Sequence, residues 1–232
     1  MRTRSWFWDR MAKRYARMPL ADQAAYDTKL EMTRAVFPPR ARVLEFGCGT
    51  GSTAILHAPH VAHIHAIDFS ASMLGIARTR AAQAGVANLS FEQSTLEALD
   101  SPDGSWDVVM GMSILHLLPD RAAALRRVHA LLKPGGAFVS STICIGDGPS
   151  KFRFIAPLFK WLPILPDVAV LTLAQLTAEM TAAGFTVETT WRPAPHKAAF
   201  VVARKPVADP DEVPGTSGYS DGKSLPEDAH ER

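Results

Sequence analysis

Three glycines separated by single residues, Gly47-Cys48-Gly49-Thr50-Gly51, join a hydrophobic stretch, Arg42-Val43-Leu44-Glu45-Phe46, to a helix-forming stretch from Ser52 to Ala58. Glycines let a chain turn sharply and let a ligand approach the backbone, and the following helix offers free N–H groups with partial positive charge. Ala62 to Ile67 reads as a second strand ending at Asp68, seventeen residues after Gly51. An acidic side chain at that place faces the crevice beyond the strand ends and can accept hydrogen bonds from both hydroxyls of a ribose. Together the two features point to an adenosine-containing ligand at the carboxyl edge of a parallel sheet.

The rest of the chain keeps the same alternation. An aromatic, basic helix is expected over Ser5 to Tyr15, and a second over Asp22 to Val36, stopped by Pro38-Pro39. Ser72 to Ala84 is a helix closed by Gly85, Leu89 to Gln93 a strand, Trp106 to Met110 a strand, and Arg121 to Leu132 a helix. Lys133-Pro134-Gly135-Gly136 is a turn signal ahead of a strand at Ala137 to Thr142. A helix at Leu173 to Ala183, closed by Gly184, precedes the strands Phe185 to Trp191 and Ala198 to Arg204. Their link is too short for a crossover helix, so these two should be antiparallel. Hydrophobic, non-alternating strands interleaved with helices predict an α/β, doubly wound, mostly parallel sheet with helices on both faces.

Composition narrows the function classes. The 232 residues are 47% hydrophobic, enough for a full core, and the net charge of +2 does not suit a dedicated nucleic-acid binder. Charge is uneven: residues 1–20 carry +5 and residues 206–232 carry −5. That last stretch, polar and rich in Gly, Pro and Ser, is expected to be a disordered acidic tail. Two cysteines, Cys48 and Cys144, make no disulfide framework, and with no apolar run of membrane-spanning length a reducing, cytoplasmic setting is expected. His57, His60, His63 and His65 cluster around a helix–strand link without a metal-ligand pattern, and no metal site is expected.

The choice of adenosine ligand turns on one position. A dinucleotide fingerprint G-x-G-x-x-G/A needs a small apolar residue at position 52, where Ser52 stands, so a dehydrogenase is disfavoured. Val43 to Gly51, Ala66-Ile67-Asp68-Phe69-Ser70-Ala71-Ser72-Met73-Leu74, Trp106-Asp107-Val108-Val109, Ile114 to Asp120, and Leu131 to Gly136 stand at ordered intervals. In these motifs the chain resembles the class I S-adenosylmethionine-dependent methyltransferases, in the small-molecule (type 11/25-like) group. Phe7-Trp8-Asp9-Arg10-Met11-Ala12-Lys13-Arg14-Tyr15 is similar to the N-terminal helix of small-molecule members. No Asn/Asp-Pro-Pro-Tyr-like element follows the fourth strand, which disfavours nucleic-acid methylation.

The resemblance implies a Rossmann-like, seven-stranded sheet of order 3-2-1-4-5-7-6 with the last strand antiparallel. It divides the chain into N-terminal helices over the site (1–40), a cofactor-binding core (41–205) with an acceptor lid at 148–170, and the tail. S-adenosylmethionine would be held by Glu45, Gly47, Cys48, Gly49, Gly51, Asp68, Met110 and Ser113, with Phe69, Met73 and Leu96 sandwiching the adenine. The family's usual adenine-reading aspartate is absent: Thr95, beside Ser94, stands in its place. Tyr15 would close over the methionine part, although it could equally be a helix-packing aromatic.

His116 could serve as a general base near neutral pH, or simply line a helix. The aromatic and basic run from Lys151 to Pro166 suggests a small, apolar acceptor: a phenol, quinol, thiol or similar molecule. With Trp6, Phe7 and Trp8, that run also suits peripheral membrane contact. The alternatives are a lipid-headgroup N-methyltransferase and a noncatalytic cofactor-binding scaffold.

Overall fold

The computed structural model describes residues 2–147 and 169–207. The expected lid falls almost wholly, and the acidic tail largely, outside the described residues. The elements in chain order are α1 (Arg2–Tyr15), α2 (Gln23–Arg34), β1 (Arg42–Phe46), α3 (Ser52–His57), β2 (His63–Asp68), α4 (Ala71–Gln83) and β3 (Leu89–Gln93). They continue with β4 (Trp106–Met112), α5 (Arg121–Leu131), β5 (Leu132–Thr142), α6 (Leu173–Ala182), β6 (Thr186–Trp191) and β7 (Ala199–Arg204).

Helix starts follow side-chain capping. Asp22 accepts the Ala25 N–H at 3.0 Å, Ser70 accepts that of Met73 at 3.2 Å, and Asp120 accepts that of Ala123 at 2.8 Å. Each satisfies one donor that the first helical turn leaves without a partner. Thr172 and Gln175 form a reciprocal capping box on α6.

The sheet has the order β3-β2-β1-β4-β5-β7-β6. β3, β2, β1, β4 and β5 run parallel, and β7 pairs antiparallel with both β5 and β6. This is the predicted doubly wound arrangement. β1 and β4 are buried along almost their whole length, whereas β6 at the edge alternates between exposed and half-buried positions. On one face Val43, Ile64, Ala66, Val108 and Met110 meet Ala54 of α3 and Leu74 of α4. On the other Leu44, Phe46, Val109 and Phe138 meet Leu125 and Val128 of α5 and Leu176 and Met180 of α6. At about 25 cal/mol per Å² of apolar surface removed from water, these two layers dominate the stability of the fold.

Two strand boundaries differ from the sequence reading by more than one residue. β4 continues two residues past Met110, because Gly111 and Met112 pair with Ser140 and Ser141. β5 begins at Leu132, opposite Trp106, and the next pairing is Val108 with Ala137. Lys133-Pro134-Gly135-Gly136 is therefore a bulge inside the β5 ladder rather than a turn ahead of it. Asp107 secures this region, accepting the Lys133 ammonium at 2.6 Å and the Arg42 backbone N–H at 2.8 Å.

His57 sits fully buried at the end of α3 with its ring edge-on to Phe37, centroids 5.2 Å apart, and neither ring nitrogen has a hydrogen-bond partner. Burial, helped by Arg34 and His60, drives its pKa down from 6.5 to about 3. Below pH 6.5 the unfolded chain then binds a proton that the folded chain refuses. Stability should fall as pH drops from 6.5 towards 3, at up to about 1.4 kcal/mol per pH unit from this one group. Urea midpoints at pH 7.5 and pH 5 for wild type and His57→Phe measure it. The variant should lose distinctly less stability on acidification; parallel losses would reject the account.

Candidate active site

The carboxyl ends of β1, β2, β4 and β5 open into a cavity of about 1680 Å³, roofed by α1 and α2. Ligand pockets commonly measure about 300–1,000 Å³, so this space suits two ligands side by side. Glu45, Gly47, Cys48, Gly49, Asp68, Phe69, Met73, Ser94, Thr95, Leu96, Ser113 and Tyr15 all line it, as the sequence reading expects.

The glycine loop uses its residues differently. Gly49 has φ +54°, and a Cβ there would approach only Tyr15, at 4.0 Å, so the backbone lies open to a ligand. Gly51 has φ +74°, and its Cβ would stand 3.0 Å from the Ala77 Cβ and 3.2 Å from the Phe91 ring. Gly51 thus serves helix–sheet packing and does not line the cavity.

Two carboxylates face one another across this loop. Asp68 accepts the Gly49 N–H through Oδ2 at 2.8 Å and the Ser70 N–H through Oδ1 at 2.9 Å. A carboxylate has about four lone-pair sites, so both oxygens keep capacity for ligand hydroxyls. Burial raises its pKa against the pull of those backbone donors. Glu45, at the end of β1, is 2% exposed and its Oε2 has no partner. Burial and then the nearby Asp68 push its pKa from 4.5 to about 8, against a backbone hydrogen bond from Ala54. A cation brought beside this oxygen would find an unused acceptor and stabilise its charged form.

The roof is tied down at two places. Asp9 of α1 accepts the Ser70 hydroxyl at 2.6 Å and the Ser72 N–H at 3.1 Å. Arg80 of α4 donates to the Ala16 carbonyl at 2.6 Å and to the hydroxyls of Thr50 and Ser52 at 2.9 and 3.1 Å. Tyr15, edge-on to Trp8 with centroids 6.2 Å apart, leans over the glycine loop. Phe7 and Trp8 wall the cavity, while Trp6 is 63% exposed, so the three aromatics do not form one outward-facing stripe. The Lys151–Pro166 run lies outside the described residues.

Three expected site residues are elsewhere. Gly51 packs as above. The Met110 side chain is wholly buried in the core below the β4 terminus, and the resemblance asks only for backbone groups near it. His116 sits in a short turn beyond β4, buried, off the cavity wall formed by its neighbours Ile114, Leu117 and Leu118. Its Nδ1 has no partner, and burial lowers its pKa to about 4. Of the two roles open to it in the sequence, general base or lining side chain, it stands here as an interior side chain off the cavity wall. Thr95 does face the cavity, but its hydroxyl accepts the Ala98 N–H at 3.3 Å and helps shape the turn after β3.

The sequence reading missed the inner face of α2. Tyr26, Lys29, Leu30 and Thr33 all line the cavity. Their i, i+3, i+4, i+7 spacing is the signature of one helical face and could have singled them out. Ser113 also adopts φ +59°, an uncommon conformation for a side-chain-bearing residue, with its N–H donated to the Ser141 carbonyl at 2.7 Å.

A protein-family model described as "Methyltransferase domain" matches residues 43–136, the stretch that holds Glu45, the glycine loop and Asp68. Over these residues the chain is similar to methyltransferase domains. A ubiquinone biosynthesis O-methyltransferase from Aeromonas salmonicida is 40% identical over 104 residues, 44% of this chain and 43% of that protein. The chain thus spans less than half the length of the curated relatives it matches. The crystal structure of YcgJ from Bacillus subtilis superposes with a TM-score of 0.64 at 21% identity, covering 78% of this chain and 99% of that one. The [4+2]-cyclase SpnF superposes with a TM-score of 0.67 at 21% identity, over 80% of this chain and 83% of that one. These two likenesses are of fold. S-adenosylmethionine is the cofactor of the methyltransferase family, and the site residues fit it. The orphaned Glu45 Oε2 suits an ammonium group, Gly49 leaves room for close approach, and both Asp68 oxygens keep acceptor capacity for hydroxyl groups.

Among the described residues, no three His, Cys, Asp or Glu side chains converge as metal ligands. Cys48 and Cys144 are free and buried, and no described helix is long and apolar enough to cross a membrane.

Proposed function

We propose that the chain is an S-adenosylmethionine-dependent methyltransferase that moves a methyl group to an oxygen, sulfur or nitrogen nucleophile of a small, largely apolar acceptor. The observation that carries this reading is the division of one cavity into a polar seat around Glu45, Gly49 and Asp68 and a second, mainly apolar half. Met112, Ile114, Leu117, Leu118 and Ile143 wall that second half. The names of the ubiquinone biosynthesis O-methyltransferase relatives support a small-molecule acceptor.

When bound, the cofactor supplies a sulfonium methyl group that an aligned nucleophile can displace in line. The chain's part is orientation. Asp68 fixes the ribose, Glu45 the ammonium, and Phe69, Met73 and Leu96 the adenine, while Tyr15 covers the seat against water. Holding the nucleophile at about 3–3.5 Å in line with the methyl supplies much of the acceleration. With His116 buried off the cavity wall, no step is assigned to it.

Calorimetry with S-adenosylmethionine, S-adenosylhomocysteine and NAD tests the seat. The first two should bind and NAD should not; tighter binding of NAD, or none of the nucleosides, rejects the reading. A methyl-transfer screen over phenols, thiols and amines then separates an enzyme from a noncatalytic scaffold.

A further inference from the structure

At the far end of the cavity from Asp68, Lys29 of α2 reaches down to the carboxyl end of β5 and donates to the Ser141 hydroxyl at 2.9 Å. Among the described residues no carboxylate lies within ion-pair distance of it. The other cations on the cavity wall are engaged. Arg80 holds the roof, and Lys197 stands 3.7 Å from Asp22. Lys29 is half-buried, beside Met112, Ile143 and the Leu30 side chain on the same wall. Taking an ammonium out of water without a counter-ion is costly, and the structure offers it one neutral hydroxyl. Burial lowers its pKa, with only Asp22 opposing.

The position excludes the nucleoside. In the strand order β2, β1, β4, β5, the ribose-binding Asp68 and Ser141 are three strand spacings apart, about 14 Å. The cofactor's amino-acid end belongs over β1 beside Glu45, so Lys29 stands on the acceptor's side.

We infer that Lys29 is the seat for an anionic oxygen on the methyl acceptor, which is therefore an apolar molecule carrying a carboxylate. This rests on the methyltransferase reading and deepens it. The carboxylate pairs with the Lys29 ammonium, the Ser141 hydroxyl supplies a second donor, and the apolar body lies along Met112, Ile114 and Leu117. Lys29 acts as a specificity residue: it anchors one end of the acceptor while the nucleophilic atom points back towards Glu45 and the glycine loop.

The test uses the full chain saturated with S-adenosylhomocysteine, titrated calorimetrically with a hydroxynaphthoate and with the matching naphthol. The carboxylate should bind about tenfold or more tightly than the naphthol, as a charge-assisted bond in a sheltered site implies. Lys29→Met should abolish that preference and leave naphthol and S-adenosylhomocysteine affinities unchanged, and Lys29→Arg should keep part of it. Equal binding of the pair by wild type, absence of carboxylate-dependent binding, or a preference that survives Lys29→Met overturns the inference. So does a loss of S-adenosylhomocysteine affinity in Lys29→Met, which would place the lysine on the cofactor. Failure of wild type to bind S-adenosylhomocysteine at all would instead strike the methyltransferase reading beneath it.

Discussion

Asp68→Ala should lower affinity for S-adenosylhomocysteine by about 100-fold or more, the largest loss expected from any single substitution in the cavity. The carboxylate does two jobs. Its oxygens hold the N–H groups of Gly49 and Ser70 at 2.8 and 2.9 Å, which shapes the glycine loop and the start of α4. Its remaining lone pairs would accept two ribose hydroxyls. Each hydrogen bond to a charged group is worth about 1.5–3 kcal/mol, and about 1.4 kcal/mol is a factor of ten in affinity. Asp68→Asn keeps one oxygen and the side-chain shape but presents an NH₂ to one of the two backbone donors, so it should fall between wild type and alanine. Calorimetric affinities, with near-ultraviolet circular dichroism to verify packing, decide it. Affinity within threefold of wild type in Asp68→Ala would remove this carboxylate from the cofactor seat.

The second large effect belongs to Glu45, where stability and binding should move in opposite directions. In the free protein its pKa of about 8 lies above the unfolded value near 4.5, because burial and Asp68 disfavour the charge. The folded chain therefore holds a proton that the unfolded chain has released. That contribution is fully present below pH 4.5 and is lost as pH rises through 8. Glu45→Gln keeps the shape without the ionisation, so it should raise the melting temperature of the free protein near pH 8.

Cofactor binding needs the opposite state. An ammonium beside Oε2 favours the carboxylate, so binding at pH 7 expels a proton and affinity should climb with pH between 6 and 8, by up to tenfold per unit. In Glu45→Gln affinity should drop about tenfold or more and its pH dependence over that range should vanish. Calorimetry in buffers of different ionisation enthalpy reads the proton directly. Proton uptake, or none, on binding to wild type would refute this role.

The parts of this molecule that the sequence exposes are those governed by local chemistry. A hydrophobic run, three glycines and a carboxylate at a strand end are short-range patterns, and they place Glu45, Gly49 and Asp68 at one edge of the sheet. The strand directions follow because parallel neighbours need a crossover and the last link is too short for one, whereas the strand order is legible only through the family resemblance. The sequence leaves His116 open between two roles because whether a side chain after β4 points inward or outward depends on a turn of only three residues, Leu115–Leu117, that carries no periodicity to read. Gly51 ends the glycine motif and Met110 follows the Trp106–Val109 motif, but the first packs against Ala77 and Phe91 and the side chain of the second sits in the core. A motif records that residues are needed without saying whether for ligand or for packing. The Lys133–Gly136 bulge reads as a turn because a turn and a bulge ask for the same residues. Lys29 escaped notice because its importance comes from β5, 112 positions away in the chain.

The two ends of the cavity come from different stretches of the chain. The stretch that matches the methyltransferase domain model, residues 43–136, contains Glu45, the glycine loop and Asp68 and stops short of Tyr15, Lys29 and Ser141. Substitutions in α2 and the far strands should therefore alter which molecule is accepted while leaving the donor's berth untouched. A family match confined to residues 43–136 speaks for the donor, and the recipient has to be read from residues outside it.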